Sequence, residues 1–269
     1  MSGASRQHEE QLLNNVGERV PGFAVLAALL VLWELSVRLE WVVTPTWPAV
    51  STVLLTFWHA CVDGTYLEVF GSSLRRLAIG YLIATACAVA IGVAMGVWRR
   101  VFLLFEPLVE LLRPIPSPAY LPMAILFLGI DDGMKVFMVA FASFFPILLN
   151  TVSGVRSVDP VLVDTGRTFG LRRLQIIRRI VLPAAAGYVF TGMRISLAIA
   201  LIVTVIAEMV AGNSGIGFYI LNAQRSFLVP EMYAGVIALA LLGFALNKGF
   251  VALERYALTW HEGWNAATT

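Results

Sequence analysis

The sequence predicts an all-α membrane protein with about six transmembrane helices, and three observations lead to that fold class. Only 13% of the 269 residues are charged, 59% are hydrophobic, and the apolar residues are concentrated in long runs. A typical soluble domain carries about 25% charged residues, so this chain has too few polar side chains to cover a surface that faces water. The apolar runs lack the alternation of barrel strands, which leaves helices as the spanning elements.

Six apolar segments approach the length of about 20 residues that a helix needs to cross the hydrocarbon core. The predicted spans are 22–39, 74–97, 115–130, 134–152, 187–211 and 232–252. Four prolines between positions 114 and 122 crowd the third span, so its start is expected to be extended or kinked. The polar residues 131–133 predict a tight turn into the fourth span. The second span carries Gly92 and Gly96, a spacing that favours close packing against another helix.

The distribution of basic residues predicts how the chain sits in the membrane. Six spans place both termini and the 153–186 loop on one side, together with 13 arginine and lysine residues. The opposite side carries five, Arg38, Arg75, Arg76, Lys135 and Arg225, and Arg194 falls inside the fifth span. Because positive charge is retained in the cytoplasm, both termini and this loop are expected to be cytoplasmic.

The chain is predicted to form one domain, since no long linker or internal repeat is apparent. Its parts are a cytoplasmic segment (1–21), a first transmembrane helix with an extracytoplasmic loop (22–73), a core of five spans (74–252) that contains the cytoplasmic 153–186 loop, and a cytoplasmic tail (253–269). The net charge of only +2 points to no nucleic-acid partner. The three His and two Cys residues are placed for neither a metal site nor a disulfide framework.

The 153–186 loop has a helical pattern and carries six arginines against two aspartates. Asp159 is suited to cap the start of a first short helix, and Gly170 is a natural C-terminal stop. A second amphipathic segment, 171–181, is expected to end at Pro183. One interpretation of the loop is a basic surface that fixes the orientation of the chain and contacts membrane lipid phosphates.

The spacing of residues in this loop resembles the signature of ABC importer permeases. That signature reads EAA, three residues, Gly, nine residues, Ile, one residue and Leu-Pro. The residues at those places are, in order, Asp164, Thr165, Gly166, Gly170, Ile180, Leu182 and Pro183. The first three depart from the signature, but they keep one carboxylate followed by two small side chains. A carboxylate near the start of a helix is favoured by the helix dipole, and small side chains allow close approach to another backbone.

The resemblance implies that the loop contains the coupling helix, which docks on a separate ATPase subunit. The residues expected to couple are Asp164, Thr165, Gly166, Arg167, Thr168, Phe169, Gly170, Leu171, Leu182 and Pro183. The only two lysines, Lys135 and Lys248, do not follow a glycine-rich phosphate-binding loop. ATP and Mg are therefore expected to bind to the partner ATPase. This chain is expected to hold no cofactor and to be a transport subunit rather than an enzyme.

From about Ser72 onward the chain also resembles the nitrate, sulfonate and taurine importer permeases. The stretches that carry this resemblance are SSLRRLAIGY, ELLRPIPSPAYLPMAILFLGI and GMRISLAIALIVTVIAEMVAG. The resemblance implies a type I ABC importer transmembrane domain in a bacterial inner membrane, with two permease copies, expected to be identical, around a pathway. A periplasmic or lipid-anchored binding protein would deliver the substrate. The expected substrate is a small organic or inorganic anion such as a sulfonate, taurine or nitrate, while heterocyclic vitamin precursors and aromatic acids stay open.

Charged residues within the spans are costly and indicate functional positions. Glu208 and Arg194 lie in the fifth span, and only these two charges are expected to lie deep. The candidates for the translocation pathway or its gate are Glu208, Arg194, Asn213, Ser214, Ser117 and Asn150. For Glu208 the alternative is a carboxylate that reaches the outer membrane surface, and for Arg194 it is contact with the cytoplasmic headgroups.

Two other classes of membrane protein compete with the importer interpretation. A secondary transporter or channel without an ATPase partner would need charges within the spans for ion coupling, and it leaves the spacing of the loop unexplained. An intramembrane enzyme would need a constellation of His, Asp or Cys residues within the spans, and the sequence offers none.

Overall fold

The computed structural model describes residues 24–42 and 44–259, and every regular element in these ranges is helical. The helices are α1 (24–38), α2 (Val50–Val62), α3 (Thr65–Val97), α4 (Arg99–Leu112), a 3₁₀ turn (Ser117–Tyr120), α5 (Leu121–Leu128), α6 (Asp132–Arg156), α7 (Pro160–Thr168), α8 (Arg173–Ile176), a π-helical turn (Ile177–Val181), α9 (Leu182–Ala211), α10 (Ile216–Arg225) and α11 (Val229–Ala257). The segment 1–21 and the last ten residues of the predicted tail lie outside the described residues.

Four helical stretches are long and apolar enough to cross a membrane, namely α3, α6, the continuous segment Arg173–Ala211, and α11. They contain the predicted spans 74–97, 134–152, 187–211 and 232–252, and each extends beyond them at one end or both. The first predicted span, 22–39, coincides with α1 where it is described. The membrane class and the positions of the spans 74–97, 134–152, 187–211 and 232–252 are therefore confirmed, and the first span stays a prediction.

The third predicted span, 115–130, is wrong as a single crossing. The chain forms α4, bends by 88° and continues as the short segment Ser117–Leu128. The prolines explain the bend, because each lacks a backbone N–H and disfavours helical geometry in the residue before it. The pair α4 and Ser117–Leu128 can supply a fifth span only as a broken one.

The expected stop at Pro183 is also wrong, because the helix continues through it. Arg173–Ala211 is one helical stretch of 39 residues, interrupted only by the π-helical turn Ile177–Val181 just before the proline. A proline normally clashes with the carbonyl four residues earlier. The wider i to i+5 bonding of a π turn moves that carbonyl away from the ring, which lets the helix pass the proline.

The core of the bundle consists of α3, α6 and α9. Glycines allow α3 to approach α6 closely: a Cβ atom added at Gly92 would lie 2.7 Å from the Cβ of Thr151, and one at Gly96 would overlap Val155. The close packing predicted for Gly92 and Gly96 is thus confirmed. Fully buried side chains such as Ile147 fill the space between the helices.

The three core helices define two ends of the bundle. The contacts of Gly80 with Val139 and of Gly92 with Thr151 show that α3 and α6 run parallel. The contacts of Gly154 with Tyr188 and of Asn150 with Gly192 show that α9 runs antiparallel to α6. One end therefore contains the starts of α3 and α6 and the end of α9. The other contains α7, α8 and the π-helical turn, and is called the loop end below. The two ends are separated by about 20 residues of α3, a distance of roughly 30 Å, which matches the thickness of the hydrocarbon core of a bilayer.

Candidate functional site

At the loop end, α7 forms as the sequence predicts. The Oδ1 atom of Asp159 accepts a hydrogen bond from the backbone N–H of Val161 at 2.8 Å, which caps the first turn. The helix ends at Thr168, and Gly170 follows in the left-handed conformation with a φ of +71°. The backbone N–H of Gly170 donates to the carbonyl of Arg167 at 2.9 Å. Both predicted boundaries of this short helix are confirmed.

Gly166 and Ile180 explain the spacing of the loop. Gly166 is buried, and a Cβ atom there would lie only 2.6 Å from Cδ1 of Ile180. The chain turns at Gly170 and returns along the π-helical turn, so that the isoleucine side chain covers the glycine. This contact seats α7 against the start of α9. It is a consequence of the fold that the sequence pattern alone did not predict.

Several side chains of α7 and of the residue that follows it are exposed to solvent. Asp164 and Arg167 form an ion pair at 2.8 Å, and their side chains are 66% and 69% exposed. Phe169 is 80% exposed. A large apolar side chain beside an exposed ion pair, on a helix held firmly on its other face, forms a compact surface suited to docking on another protein.

The predicted coupling residues thus divide into three groups. Asp164, Thr165, Arg167, Thr168, Phe169 and Gly170 are exposed, Gly166 and Leu171 face the π-helical turn, and Leu182 and Pro183 lie in the first turn of α9. The structure brings the first two groups together. Leu182 and Pro183 instead continue the helix that leads from the loop into the bundle.

At the opposite end, Glu208 is completely buried in α9. Its carboxylate accepts hydrogen bonds from Arg76 Nη1 at 2.8 Å, from Ser73 Oγ at 2.9 Å and from the backbone N–H of Gly217 at 3.0 Å. A carboxylate with this set of donors does not extend to the membrane surface. The structure therefore contradicts the alternative in which Glu208 reaches outward.

Arg76 is the centre of this region, with a side chain only 3% exposed. Besides Glu208, its guanidinium donates to Asp132 Oδ1 at 2.7 Å, to the backbone carbonyl of Ser214 at 2.9 Å and to Ser214 Oγ at 2.7 Å. Five N–H donors in a fixed planar arrangement make arginine suited to joining several acceptors. One side chain thereby connects α3, α6, α9 and the turn between α9 and α10.

We use the term charge cluster for Ser73, Arg75, Arg76, Asp132, Lys135, Glu208 and Ser214. Arg75 also pairs with Asp132, and the ammonium of Lys135, which is 1% exposed, lies 3.6 Å from Asp132 Oδ1. Such burial is tolerated only when the charges are paired, because an isolated buried charge is strongly destabilising. A cleft of about 430 Å³ opens beside the cluster and is lined by Asp131 and Asn213 in addition to cluster residues.

Arg76 and Lys135 were not among the predicted site residues, and the expectation that only Glu208 and Arg194 lie deep is wrong. Both missed residues lie at the very start of the predicted spans 74–97 and 134–152, and they were counted with the charges of the outer side rather than as buried charges. In the structure α3 starts at Thr65, which puts Arg76 three turns inside a helix. The available signal was Glu208 itself, since a buried carboxylate requires a positive partner.

The other pathway candidates are dispersed. Ser214 belongs to the charge cluster and Asn213 lines its cleft. Arg194, in the middle of α9, donates to Glu254 of α11 at 2.5 Å. Asn150 bonds to a carbonyl of its own helix at the contact of α6 with α9, and Ser117 begins the 3₁₀ turn. In the part of the chain that the structure describes, no group of His, Cys, Asp and Glu could hold a metal ion.

Comparison with known proteins shows which family this chain belongs to. The sequence model of the family described as binding-protein-dependent transport system inner membrane component matches residues 80–257. The putative aliphatic sulfonates transport permease protein SsuC of Bacillus subtilis is 31% identical, over 90% of this chain and 88% of that protein. The taurine transport system permease protein TauC of Escherichia coli is 30% identical over 88% of both chains. The nitrate import permease protein NrtB of Leptolyngbya laminosa is 33% identical over 67% of this chain and 66% of that protein.

Solved structures agree with the fold. The inward-facing MetNI methionine ABC transporter aligns with a TM-score of 0.63 at 15% identity, covering 71% of this chain and 95% of the other. An amino acid ABC transporter solved with histidines gives a TM-score of 0.59 at 16% identity, covering 74% and 96%. The fold is that of a type I importer transmembrane domain, and the alternative of a secondary transporter or channel is set aside. The chain belongs to the family of inner-membrane components of binding-protein-dependent transport systems, as a multi-pass permease subunit of an ABC importer.

Proposed function

We propose that this permease forms the translocation pathway for a small anion and that a separate ATPase, docked on α7, drives the transport. The observation that carries the proposal is the construction of α7. One face is anchored through Gly166 on Ile180, and the opposite face exposes Asp164, Arg167 and Phe169. A rigid, exposed helix at the end of the bundle can transmit movement of a bound partner to α9, because Gly166 of α7 packs on Ile180 of the π-helical turn that continues into α9.

ATP and Mg belong to the partner in this proposal. The sequence has no glycine-rich phosphate-binding loop followed by lysine. The permease therefore supplies the moving element, and the ATPase supplies the chemical energy. No cofactor is assigned to this chain.

The substrate class rests on the relatives. Their names specify aliphatic sulfonates, taurine and nitrate, which are small solutes that carry a sulfonate or nitrate oxyanion. The similarity extends over most of this chain for the sulfonate and taurine permeases. We assign a small sulfonate or nitrate as the substrate class, delivered by a periplasmic or lipid-anchored binding protein.

The pathway is proposed to lie between two copies of the chain, expected to be identical. The space between α3, α6 and α9 is filled by buried side chains, including Val139, Ile147 and Leu148. A closely packed core transmits little solute, so a second bundle is needed to enclose a route. We propose that both termini and the loop end lie in the cytoplasm, and the excess of arginine at that end supports this orientation.

The charge cluster is proposed to control the outer gate. Glu208 binds the first turn of α10 through Gly217, and Arg76 binds the preceding turn through Ser214. Any outward movement of the α9–α10 turn must break these bonds. Asn213 in the cleft and Arg194, Ser117 and Asn150 elsewhere remain proposed pathway residues, each to be tested by substitution.

Transport by the assembled complex tests the proposal. The permease, its ATPase and its binding protein are expressed from neighbouring genes and reconstituted in vesicles that contain ATP. We expect accumulation of taurine, an alkanesulfonate or nitrate that stops when a non-hydrolysable ATP analogue replaces ATP. Accumulation that does not depend on ATP would contradict the importer mechanism. Uptake restricted to uncharged solutes would reject the substrate class alone.

A further inference from the structure

A groove lies at the loop end of the bundle, directly beneath α7. It has a volume of about 520 Å³ and separates the ends of α3 and α6 from α7 and the π-helical turn. Nine of its eleven lining residues are apolar, among them Val97 at the end of α3 and Val155 near the end of α6. The other two lining residues are Arg167 and Arg173. The groove thus combines apolar side chains with two arginines.

Arg173 is the cation best placed to bind a ligand in this groove. Its guanidinium lies over the ring of Trp98, 5.5 Å from the centroid. Stacking on an aromatic face orients a guanidinium and leaves its N–H edges available. Among the described residues, no Asp or Glu oxygen lies within 4 Å of Arg173, whereas the Arg167 guanidinium already pairs with Asp164.

The surroundings carry an excess of positive charge. The loop holds six arginines against two aspartates, and the neighbouring start of α4 adds Arg99 and Arg100. Arg156, at the end of α6, stacks on Phe102 at 3.5 Å rather than pairing with an acid. Paired aromatic and arginine side chains at the ends of spanning helices mark the boundary between hydrocarbon and headgroups.

We infer that this groove binds an anionic phospholipid, with the phosphate on Arg173 and an acyl chain along the valines of α3 and α6. Two features select this occupant. The available N–H groups of the Arg173 guanidinium can donate hydrogen bonds to the oxygens of a phosphate. The apolar lining complements a hydrocarbon chain, which a free inorganic phosphate does not have. Because α3 and α6 end here, the groove lies at the level expected for the lipid headgroups.

The inference goes beyond the proposed function, since it concerns neither the transported solute nor the docking face of α7. The lipid would lie on the inner side of α7, between the helix and the ends of α3 and α6. The docking face, with Asp164 and Phe169, is on the outer side of the same helix. The ATPase and the lipid are therefore expected to bind together.

Lipid retention by the purified complex tests the inference. The permease with its ATPase is extracted from vesicles of equal parts phosphatidylcholine and phosphatidylglycerol, washed with detergent, and analysed by native mass spectrometry. The variants are Arg173→Gln and, as a matched control, Arg178→Gln, which removes the same charge from the same segment outside the groove. We expect Arg173→Gln to retain phosphatidylglycerol about fivefold less, the loss typical of one arginine contact at an anionic surface. The control is expected to retain it like the wild type.

Three further arms keep the inference falsifiable. Arg173→Lys conserves the charge and should restore most of the retention, even if Arg173→Gln assembles poorly. Inorganic phosphate added during the washes should not displace the lipid, and displacement would show that the arginine binds free phosphate instead. Equal retention by Arg173→Gln and Arg178→Gln, or loss of the lipid when the ATPase binds, would overturn the inference.

Discussion

Replacement of Glu208 by glutamine tests the charge cluster most sharply, because glutamine preserves the shape of the side chain and removes only its charge. The structure gives Glu208 no exposed surface, and Arg76 is 3% exposed. In the variant, Arg76 would keep Asp132 and Ser214 as acceptors but would lose its fully buried counter-charge. Removing one partner of a buried ion pair typically costs about 3–5 kcal/mol.

We place the expected loss of unfolding free energy near the lower limit, at about 3 kcal/mol. The reason is that Asp132 remains 2.7 Å from the guanidinium and compensates part of the charge. Glutamine can also still accept from Ser73. The variant Arg76→Gln should be destabilised similarly, and the double variant should lose less than the sum, with a coupling energy of about 2 kcal/mol.

The assay is denaturation of the purified permease in mild detergent by increasing sodium dodecyl sulfate, with helicity as the signal. Asp164→Asn is the matched control, because it also removes a carboxylate from an ion pair with arginine, but in an exposed position. Its unfolding midpoint should stay at that of the wild type. An unfolding midpoint for Glu208→Gln equal to that of the wild type, or strictly additive effects of the two single variants, would show that Glu208 and Arg76 do not form a stabilising buried pair.

We also expect Glu208→Gln to alter transport while the complex still assembles. Unchanged uptake would contradict the proposal that the charge cluster controls the outer gate.

Two other substitutions test the packing of the molecule. Gly166→Leu should displace α7 from Ile180 and abolish transport in a vesicle uptake assay while membrane insertion persists; shortening the partner by Ile180→Ala should restore part of the activity, and full activity of the single variant would contradict the contact. Gly92→Leu should reduce stability to detergent denaturation by roughly 1–3 kcal/mol, because the new side chain overlaps Thr151. Gly71→Leu, also on α3 but with open space around it, should have little effect, and equal effects of the two would contradict the packing.

Local features of the sequence predicted the corresponding parts of the structure. The cap at Asp159 and the stop at Gly170 depend on residues close in the chain, and both were recognised correctly. The spans were found because hydrophobic length is itself the physical requirement for crossing a bilayer. The small residues Gly92 and Gly96 likewise indicated a close helix contact, although not which helix they would meet.

Features that depend on distant parts of the chain were not predictable in the same way. Arg76 and Glu208 are 132 positions apart, and their pairing requires α3 and α9 to be neighbours. Arg76 was assigned to the outer side because a count of charges along the sequence considers each segment without its partners. Pro183 failed as a stop signal because the π-helical turn Ile177–Val181 precedes it, and the sequence analysis had no local pattern for such a turn.

The central claim is that α7 of this permease docks on a separate ATPase, and Gly170→Pro tests it most directly. Gly170 has a φ of +71° and a backbone N–H bonded to Arg167, and proline can supply neither. Asparagine tolerates this conformation, so Gly170→Asn is the matched control. The tagged permease is purified from cells that also produce its ATPase. The account predicts that the wild type and Gly170→Asn retain the ATPase and that Gly170→Pro is inserted in the membrane without it. Retention of the ATPase by all three proteins, or by none of them, would contradict the account.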